Sequence, residues 1–294
     1  FRTGKEAGAW RCGWTSLLPS MTSTSADDPL LQSDFGTPVD GCEAPWHKAQ
    51  FTLAYNAEAI ADPPTTLAGV LDWAEANPGR FTYPAPPDFT GSVFVREALA
   101  SVSGGSDEVP TAFSQEAYDE LAPALWERLD ALAPSLWRAG DTYPANETEL
   151  GQLFADRQVD MTMTYGPATL TGLVADGTYP AETRVLTLDD GTVGNASFLG
   201  LPVNSDAAAG AMVVANVALS AEQQAKKAEP GVWGQFPVLD LAALSPEDRA
   251  LFDALPDSPV VPPYDELSRN AHGELAAEWV PALDDGWRQN VLSR

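Results

Sequence analysis

"NPGRFTYPAPPDFTGSVFVREAL", residues 77–99, changes pattern twice in a short length of chain. Asn77-Pro78-Gly79 is a helix stop. Residues 80–85 then read as a short strand. Pro84, Pro86 and Pro87 fix φ and disfavour helix in the residues before them, so the segment stays extended. Beyond Ser92 the apolar residues Phe94, Ala98 and Leu99 share one helical face. This predicts a helix starting near Thr90–Ser92, with Thr90 or Ser92 as its cap. A helix start turns free N–H groups and the positive dipole end outward, which suits an anion or a polar ligand group. An ordinary capped helix has the same appearance. Helix, strand and helix in sequence point to the α/β class.

The same alternation continues outward in both directions. "AQFTLAYN" (49–56) places Phe51, Leu53 and Tyr55 on one face and reads as a strand. Leu67, Val70, Leu71 and Ala74 keep helical spacing behind a cap at Thr65 or Thr66. Residues 114–138 carry a leucine stripe at 121, 125, 129, 132 and 136, expected to be divided by Pro123 and Pro134. A short helix is predicted at 147–155. Val159, Met161 and Met163 alternate with Asp160, Thr162 and Thr164 as a strand. Pro167 opens a helix that Gly177 ends. Strands follow at 183–188 and 196–204, around an Asp190-Gly191 turn. Residues 207–228 read as one long helix, and a last helix near 272–291 carries Leu275, Trp279, Leu283 and Trp287. Residues 1–45 are irregular apart from a short helix at the start.

The composition narrows the possible functions. The chain has 294 residues, enough for two compact units, and 44% of them are hydrophobic, so real cores are expected. The formal net charge is −26, and Lys occurs only at positions 5, 48, 226 and 227. Nucleic-acid binding needs clustered Lys and Arg, so no nucleic-acid partner is expected. No apolar run is long enough to span a membrane. There is no G-x-S-x-G elbow, phosphate-binding loop, H-E-x-x-H helix or full dinucleotide fingerprint. The two cysteines and two histidines lack zinc-type spacing, so no metal and no cofactor is expected. Cys12 and Cys42 are either bonded, closing a loop of about 30 residues worth on the order of 3 kcal/mol, or two unrelated buried thiols. The first is favoured for an exported chain. Phe1 is not an initiator Met, so a processed product or a missing start is expected.

Four blocks carry a family resemblance: "GCEAPWHKAQFTLAYNAEAI", "LDWAEANPGRFTYPAPPDFTGSVFVREAL", "VDMTMTYGPA" and "GTVGNASFLGLPVNSDAAAGAMVVANVALSAEQQAKKAEPGVWG". In order and spacing the chain resembles the YnjB-type solute-binding proteins of bacterial ABC importers over nearly its whole length. It is also similar to the wider group that carries polyamines, thiamine, iron and oxyanions. The pattern departs from relatives at His47, Lys48, Gly166 and Ser197, positions that bear on ligand choice.

The resemblance implies a two-lobed α/β fold of the type II periplasmic-binding-protein kind, with a ligand cleft between lobes joined by crossing strands. Lobe 1 is expected from residues 1–49 and 196–262, and lobe 2 from residues 50–195 and 263–294. Relatives carry a further N-terminal segment of roughly one hundred residues. Lobe 1, with Trp10, Trp14 and the helix 207–219, is therefore expected to be incomplete, showing an open sheet edge or an exposed apolar face. The implied function is the extracytoplasmic solute-binding component of an importer. It would capture a small polar solute by hinge closure and deliver it to a membrane permease. The alternative is a hydrolase or transferase on a related scaffold. The protein is expected to be exported, monomeric, and in the periplasm or at the outer face of the cell membrane, with a lipid anchor as one route.

Ligand-binding candidates follow from the same frame. Trp46 either walls the cleft, holding a cation or ring on its face, or packs in the core. Thr90, Gly91 and Ser92 present the helix start. Tyr165 offers a hydroxyl or packs. Glu43 meets a cationic group or is simply an exposed carboxylate. Asn195 and Ser197 reach the cleft or serve a turn. An organic cation or a zwitterion is the favoured solute, with an oxyanion as the other possibility.

Overall fold

A computed structural model describes every residue except Ala26, Gly231 and Arg294. In chain order the helices are α1 (Arg2–Glu6), α2 (Leu67–Ala76), α3 (Phe89–Ser103), α4 (Gln115–Leu132), α5 (Glu147–Ala155), α6 (Thr169–Ala175), α7 (Ala208–Ala218), α8 (Ala221–Ala228), α9 (Pro246–Asp253), α10 (Tyr264–Leu267) and α11 (Trp279–Trp287). The strands are β1 (Ser33–Asp34), β2 (Thr37–Pro38), β3 (Glu43–Gln50), β4 (Thr52–Asn56), β5 (Met161–Thr164), β6 (Thr183–Val185) and β7 (Gly194–Gly200). The chain forms two compact units. Unit 1 comprises Phe1–Ala49 and Gly194–Asp257, and unit 2 comprises Gln50–Val193 and Ser258–Arg294.

Unit 2 is built on a three-stranded sheet ordered β5-β4-β6. Central β4 runs antiparallel to both neighbours, with Leu53 opposite Met163 and Ala54 opposite Val185. All four residues of β5 are buried, so the Met/Thr alternation does not separate core from solvent; both faces are covered. α3 and α4 supply much of the packing. Val93, Phe94, Val95, Ala98 and Leu99 of α3 are enclosed, as are Leu125, Leu129 and Leu132 of α4. Trp279, Leu283 and Trp287 of α11 join this core together with Phe81 and Tyr83. Burying each such side chain stabilises the unit by roughly 1.5–3 kcal/mol.

Unit 1 has a smaller core of Trp14, Leu18, Leu31, Ala44, Ala196, Leu201, Ala215, Leu219 and Val238. Among its described residues the principal sheet is the pair β3-β7. α7 leaves Val213, Val214 and Val217 at 64%, 67% and 51% exposure. Cys12 and Cys42 are joined by a disulfide.

Several sequence expectations need correction. The strand expected over 49–56 is two strands broken at Phe51, whose N–H is taken by the Val193 carbonyl at 2.9 Å. Side-chain alternation runs through that break and does not mark it. Residues 80–85 form no strand, because Ala85 and Trp137 use the backbone there in isolated bonds to Pro144 and Phe81. α4 runs through Pro123, since one lost backbone bond is outweighed by a buried face on both sides of it. The long helix expected over 207–228 is split at Leu219-Ser220, where Ser220 caps α8 by accepting from the Gln223 N–H. The helix near 89 starts behind Asp88, whose carboxylate accepts from the Gly91 N–H at 3.1 Å. Asp88, not Thr90 or Ser92, is therefore the cap.

Candidate functional site

Each unit carries a constellation of its own. In unit 1, β3 places Trp46 half-buried between a buried Pro45 and a buried His47. The chain beyond α8 brings Trp233 against both rings. Ring centroids lie 5.0 Å apart for Trp46 and Trp233, 5.1 Å for Trp46 and His47, and 4.8 Å for His47 and Trp233. Tilted and edge-on arrangements of this kind are the favourable ones for aromatic pairs. α8 fixes the strand from the other side. Gln224 donates Nε2 to the Trp46 carbonyl at 2.9 Å, and the Lys227 ammonium donates to the same oxygen. That ammonium also lies 5.5 Å from the Trp46 ring centroid.

These rings form one wall of an open groove of about 380 Å³. Val214, Val217 and Val232 line it together with Trp46, Trp233 and Lys227. Loss of hydration lowers the Lys227 pKa to about 7. Burial, and then the Lys227 charge, lower His47 to about 4, so its imidazole is neutral near pH 7. The groove thus offers aromatic faces, aliphatic walls and one ammonium that is close to its titration point. Such a surface holds a ring or an aliphatic part, and gives one donor to an anionic group.

Glu43 stands at the far end of β3 and does not line the groove. Its side chain is buried, and Oε1 has no hydrogen-bond partner. Burial first, and then the neighbouring Asp34 charge, push its pKa up to about 7. The expected exposed carboxylate is therefore a buried acid. Asn195 and Ser197 lie half-buried on β7, the strand beside β3, and do not line the groove either.

In unit 2 the opening motif turns inward. Thr90, Gly91 and Ser92 are all buried in the first turn of α3. Thr90 donates its hydroxyl to Glu147 Oε2 at 2.6 Å, and Ser92 donates to Asp284 Oδ1 at 2.6 Å. A Cβ on residue 91 would stand 2.1 Å from the Pro84 carbonyl oxygen. Glycine is needed there because the proline-rich backbone packs directly on the helix. The motif is a docking point between α3, α5 and α11, and an anion finds no open helix start there.

One turn further along α3 lies a buried ion pair. Arg96 Nη2 meets Glu274 Oε2 at 3.1 Å, with both side chains almost fully enclosed. Tyr165 donates its hydroxyl to Glu274 Oε1 at 3.0 Å. Burial first, and the Glu274 charge second, hold the Tyr165 hydroxyl well above its ordinary pKa. The Arg96 Nε and Nη1 atoms have no hydrogen-bond partner. The Tyr165 ring packs on the half-exposed Phe89 at 5.0 Å.

Sequence reading reached Trp46 and Tyr165 but missed Trp233, Lys227, Arg96 and Glu274. Two signals were available. Arg96-Glu97 is a charged pair inside an apolar helical run, and Lys226-Lys227 holds half of the chain's lysines. Trp233 stands in a glycine-flanked loop with no periodicity to place it.

A family model described as bacterial extracellular solute-binding protein matches residues 5–255. The chain is 34% identical over 288 residues to Protein YnjB of Escherichia coli strain K12, covering 98% of this chain and 72% of that protein. Among solved structures it is similar to an ABC transporter protein of Clostridium perfringens, with a TM-score of 0.66 and 18% identity over 98% of this chain and 78% of the other. It is also similar to the spermidine/putrescine ABC transporter substrate-binding protein PotD of Streptococcus pneumoniae. There the TM-score is 0.68 and the identity 12% over 98% and 79% of the two chains. Among the described residues no helix is long and apolar enough to cross a membrane.

Proposed function

The chain belongs to the bacterial extracellular solute-binding proteins, and on that premise we propose that it is the solute-binding component of an ABC importer, working outside the cytoplasm by hinge closure. The observation that carries this reading is the family match across residues 5–255, with ABC transporter proteins among the similar folds. Its partners are a small solute and a membrane permease. It acts as a monomer and catalyses no reaction. A lipid anchor is one way of holding it at the outer face of the membrane.

The solute is an organic cation or a zwitterion. The Trp46 and Trp233 faces suit a cationic or planar group. Lys227 suits an anionic group on the same molecule, so a zwitterion uses both features. PotD, named for spermidine and putrescine, supports the cationic half of this reading. An oxyanion held by the start of α3 loses its basis, because Asp88 already occupies that position.

Capture is a population shift, in which solute stabilises the state that contacts it most. Mass spectrometry of the gently isolated protein should find a copurifying small polar molecule. Adding that compound back at one hundred times its Kd should stabilise the fold by about 2.7 kcal/mol without consuming it. Trp46→Ala should weaken its binding by about tenfold or more. Steady turnover of the compound would overturn the reading in favour of a hydrolase or transferase.

A further inference from the structure

The groove of unit 1 is lined by Lys226 and Lys227, and no Asp or Glu is among its described lining residues. Trp46, Trp233 and three valines supply the rest of its walls. We propose that Lys227 is the counter-ion for a carboxylate on the solute, so that the groove takes small carboxylates with a compact apolar or quaternary-ammonium head. This rests on the solute-binding reading and narrows its ligand class. The anionic group is the required half of the molecule, and a simple organic cation is excluded.

Lys227 differs from the other lysines. Lys5 pairs with Asp40 at 2.6 Å, Lys48 with Asp28 at 2.9 Å and Lys226 with Glu229 at 2.6 Å. Lys227 makes no ion pair among the described residues, and no carboxylate charge offsets the burial that lowers its pKa. It is only 8% exposed. A buried charge is costly unless an opposite charge answers it. The chain has 42 acidic side chains against 16 basic ones, yet none of them is placed beside this ammonium.

The ammonium is held from behind. It donates to the Trp46 carbonyl, which also accepts from Gln224 Nε2 at 2.9 Å. The Gln235 N–H donates to the Lys227 carbonyl at 3.2 Å, which ties α8 to the loop carrying Trp233. An ammonium has three donors, so two remain for a ligand in the groove. Hydrogen bonds from a desolvated ammonium to a carboxylate are among the strong ones.

A lone cation meets the opposite situation. The Lys227 ammonium already stands 5.5 Å from the Trp46 ring centroid, so a second cation on that wall is repelled by it. Glu229 is engaged by Lys226 and is not a lining residue. His47, packed on both rings, is neutral near pH 7 and adds no charge. A carboxylate paired with Lys227 removes the repulsion. The Trp46 and Trp233 faces then accept a trimethylammonium or a tert-butyl head alike.

Only two histidines are present, so the His47 ring resonance reports the groove and His272, in unit 2, serves as the control. The full chain is titrated at about pH 6, where the ammonium is intact, with glycine betaine, choline chloride and the sodium salt of tert-butylacetic acid. Sodium chloride at equal ionic strength is the blank. Both carboxylates should shift His47 saturably, and choline should bind at least about tenfold more weakly than betaine. Lys227→Met keeps the Gln224 donor on the Trp46 carbonyl and should weaken both carboxylates by about tenfold or more without weakening choline. Lys227→Arg should retain them. Choline bound as tightly as betaine, or carboxylate affinities unchanged in Lys227→Met, overturns the proposal and leaves solute capture standing. A His47 resonance indifferent to all three probes also overturns it. Turnover of the copurifying solute would instead sink the solute-binding reading itself. If Lys227→Met does not fold, the comparison of betaine with choline on the parent chain decides.

Discussion

Trp287 in unit 2 and Trp233 in unit 1 both belong to aromatic clusters, yet one is sealed and the other lines an open groove. Trp287 donates its indole N–H to the Tyr83 hydroxyl at 3.0 Å and packs edge-on against Tyr143 at 5.1 Å. Its ring and its polar atom are both committed to the fold. Trp233 packs on Trp46 and His47 but keeps a face toward the groove. The same contrast extends to the valines. Val93 and Val95 are enclosed in unit 2, whereas Val213, Val214 and Val217 stand exposed in unit 1. Unit 2 devotes its large apolar residues to stability. Unit 1 leaves comparable surface available for something else to cover.

The sharpest way to break this contrast is Trp287→Ala. Removing a fully enclosed indole with a satisfied N–H should destabilise the fold by about 4 kcal/mol in denaturant unfolding. A loss below about 1 kcal/mol would mean that the enclosed Trp287 contributes little to the stability of unit 2.

The second test is a titration in unit 1. The Glu43 pKa is about 7 in the fold against an ordinary 4.5, so the neutral acid is the form the fold prefers. Its contribution to stability is complete below about 4.5 and is lost as pH rises through about 7. Between those values Glu43→Gln should flatten the decline by about 2 kcal/mol relative to the parent. Lys227, lowered from 10.5 to about 7, acts mainly above that window and in the opposite sense. Parallel stability curves for the two proteins from pH 4.5 to 7 would remove the buried-acid reading.

The smallest expected effect is the most direct test of exposure. Val214→Ser should change stability by less than about 0.5 kcal/mol, because the side chain already meets water. A loss of 1 kcal/mol or more in thermal or denaturant melts would show that α7 is covered in solution.

Legibility in the sequence followed the range of the forces involved. α5 was readable to the residue because Asn146 accepts the Glu149 N–H and Glu149 reaches back to the Ala145 N–H, all within one turn. α2 was readable for the same reason, with Thr66 on Gly69. The cap of α3 was misread by two residues if Thr90 is taken and by four if Ser92 is. Thr90 and Ser92 looked like caps, but their hydroxyls bond to Glu147 and Asp284, which are remote in sequence. Trp46 could be singled out from its place before an alternating run. Its partners could not, because Trp233 and Lys227 reach it only through the tertiary fold. The low pKa values of His47 and Lys227 are likewise consequences of desolvation, which no local spacing records.

The hydrogen bond from Phe51 to Val193 has a consequence for how unit 1 comes together. Its two strands, β3 and β7, are separated by most of unit 2, and pairing them directly would mean closing a very long loop. Once unit 2 has folded, residues 51 and 193 are held 2.9 Å apart, N to O. The effective loop between β3 and β7 then shrinks from a whole folded insert to a few bonds. Unit 2 acts as the clasp of a locket: shutting it brings the ends of the chain around unit 1 together, and a contact distant in sequence becomes a local one.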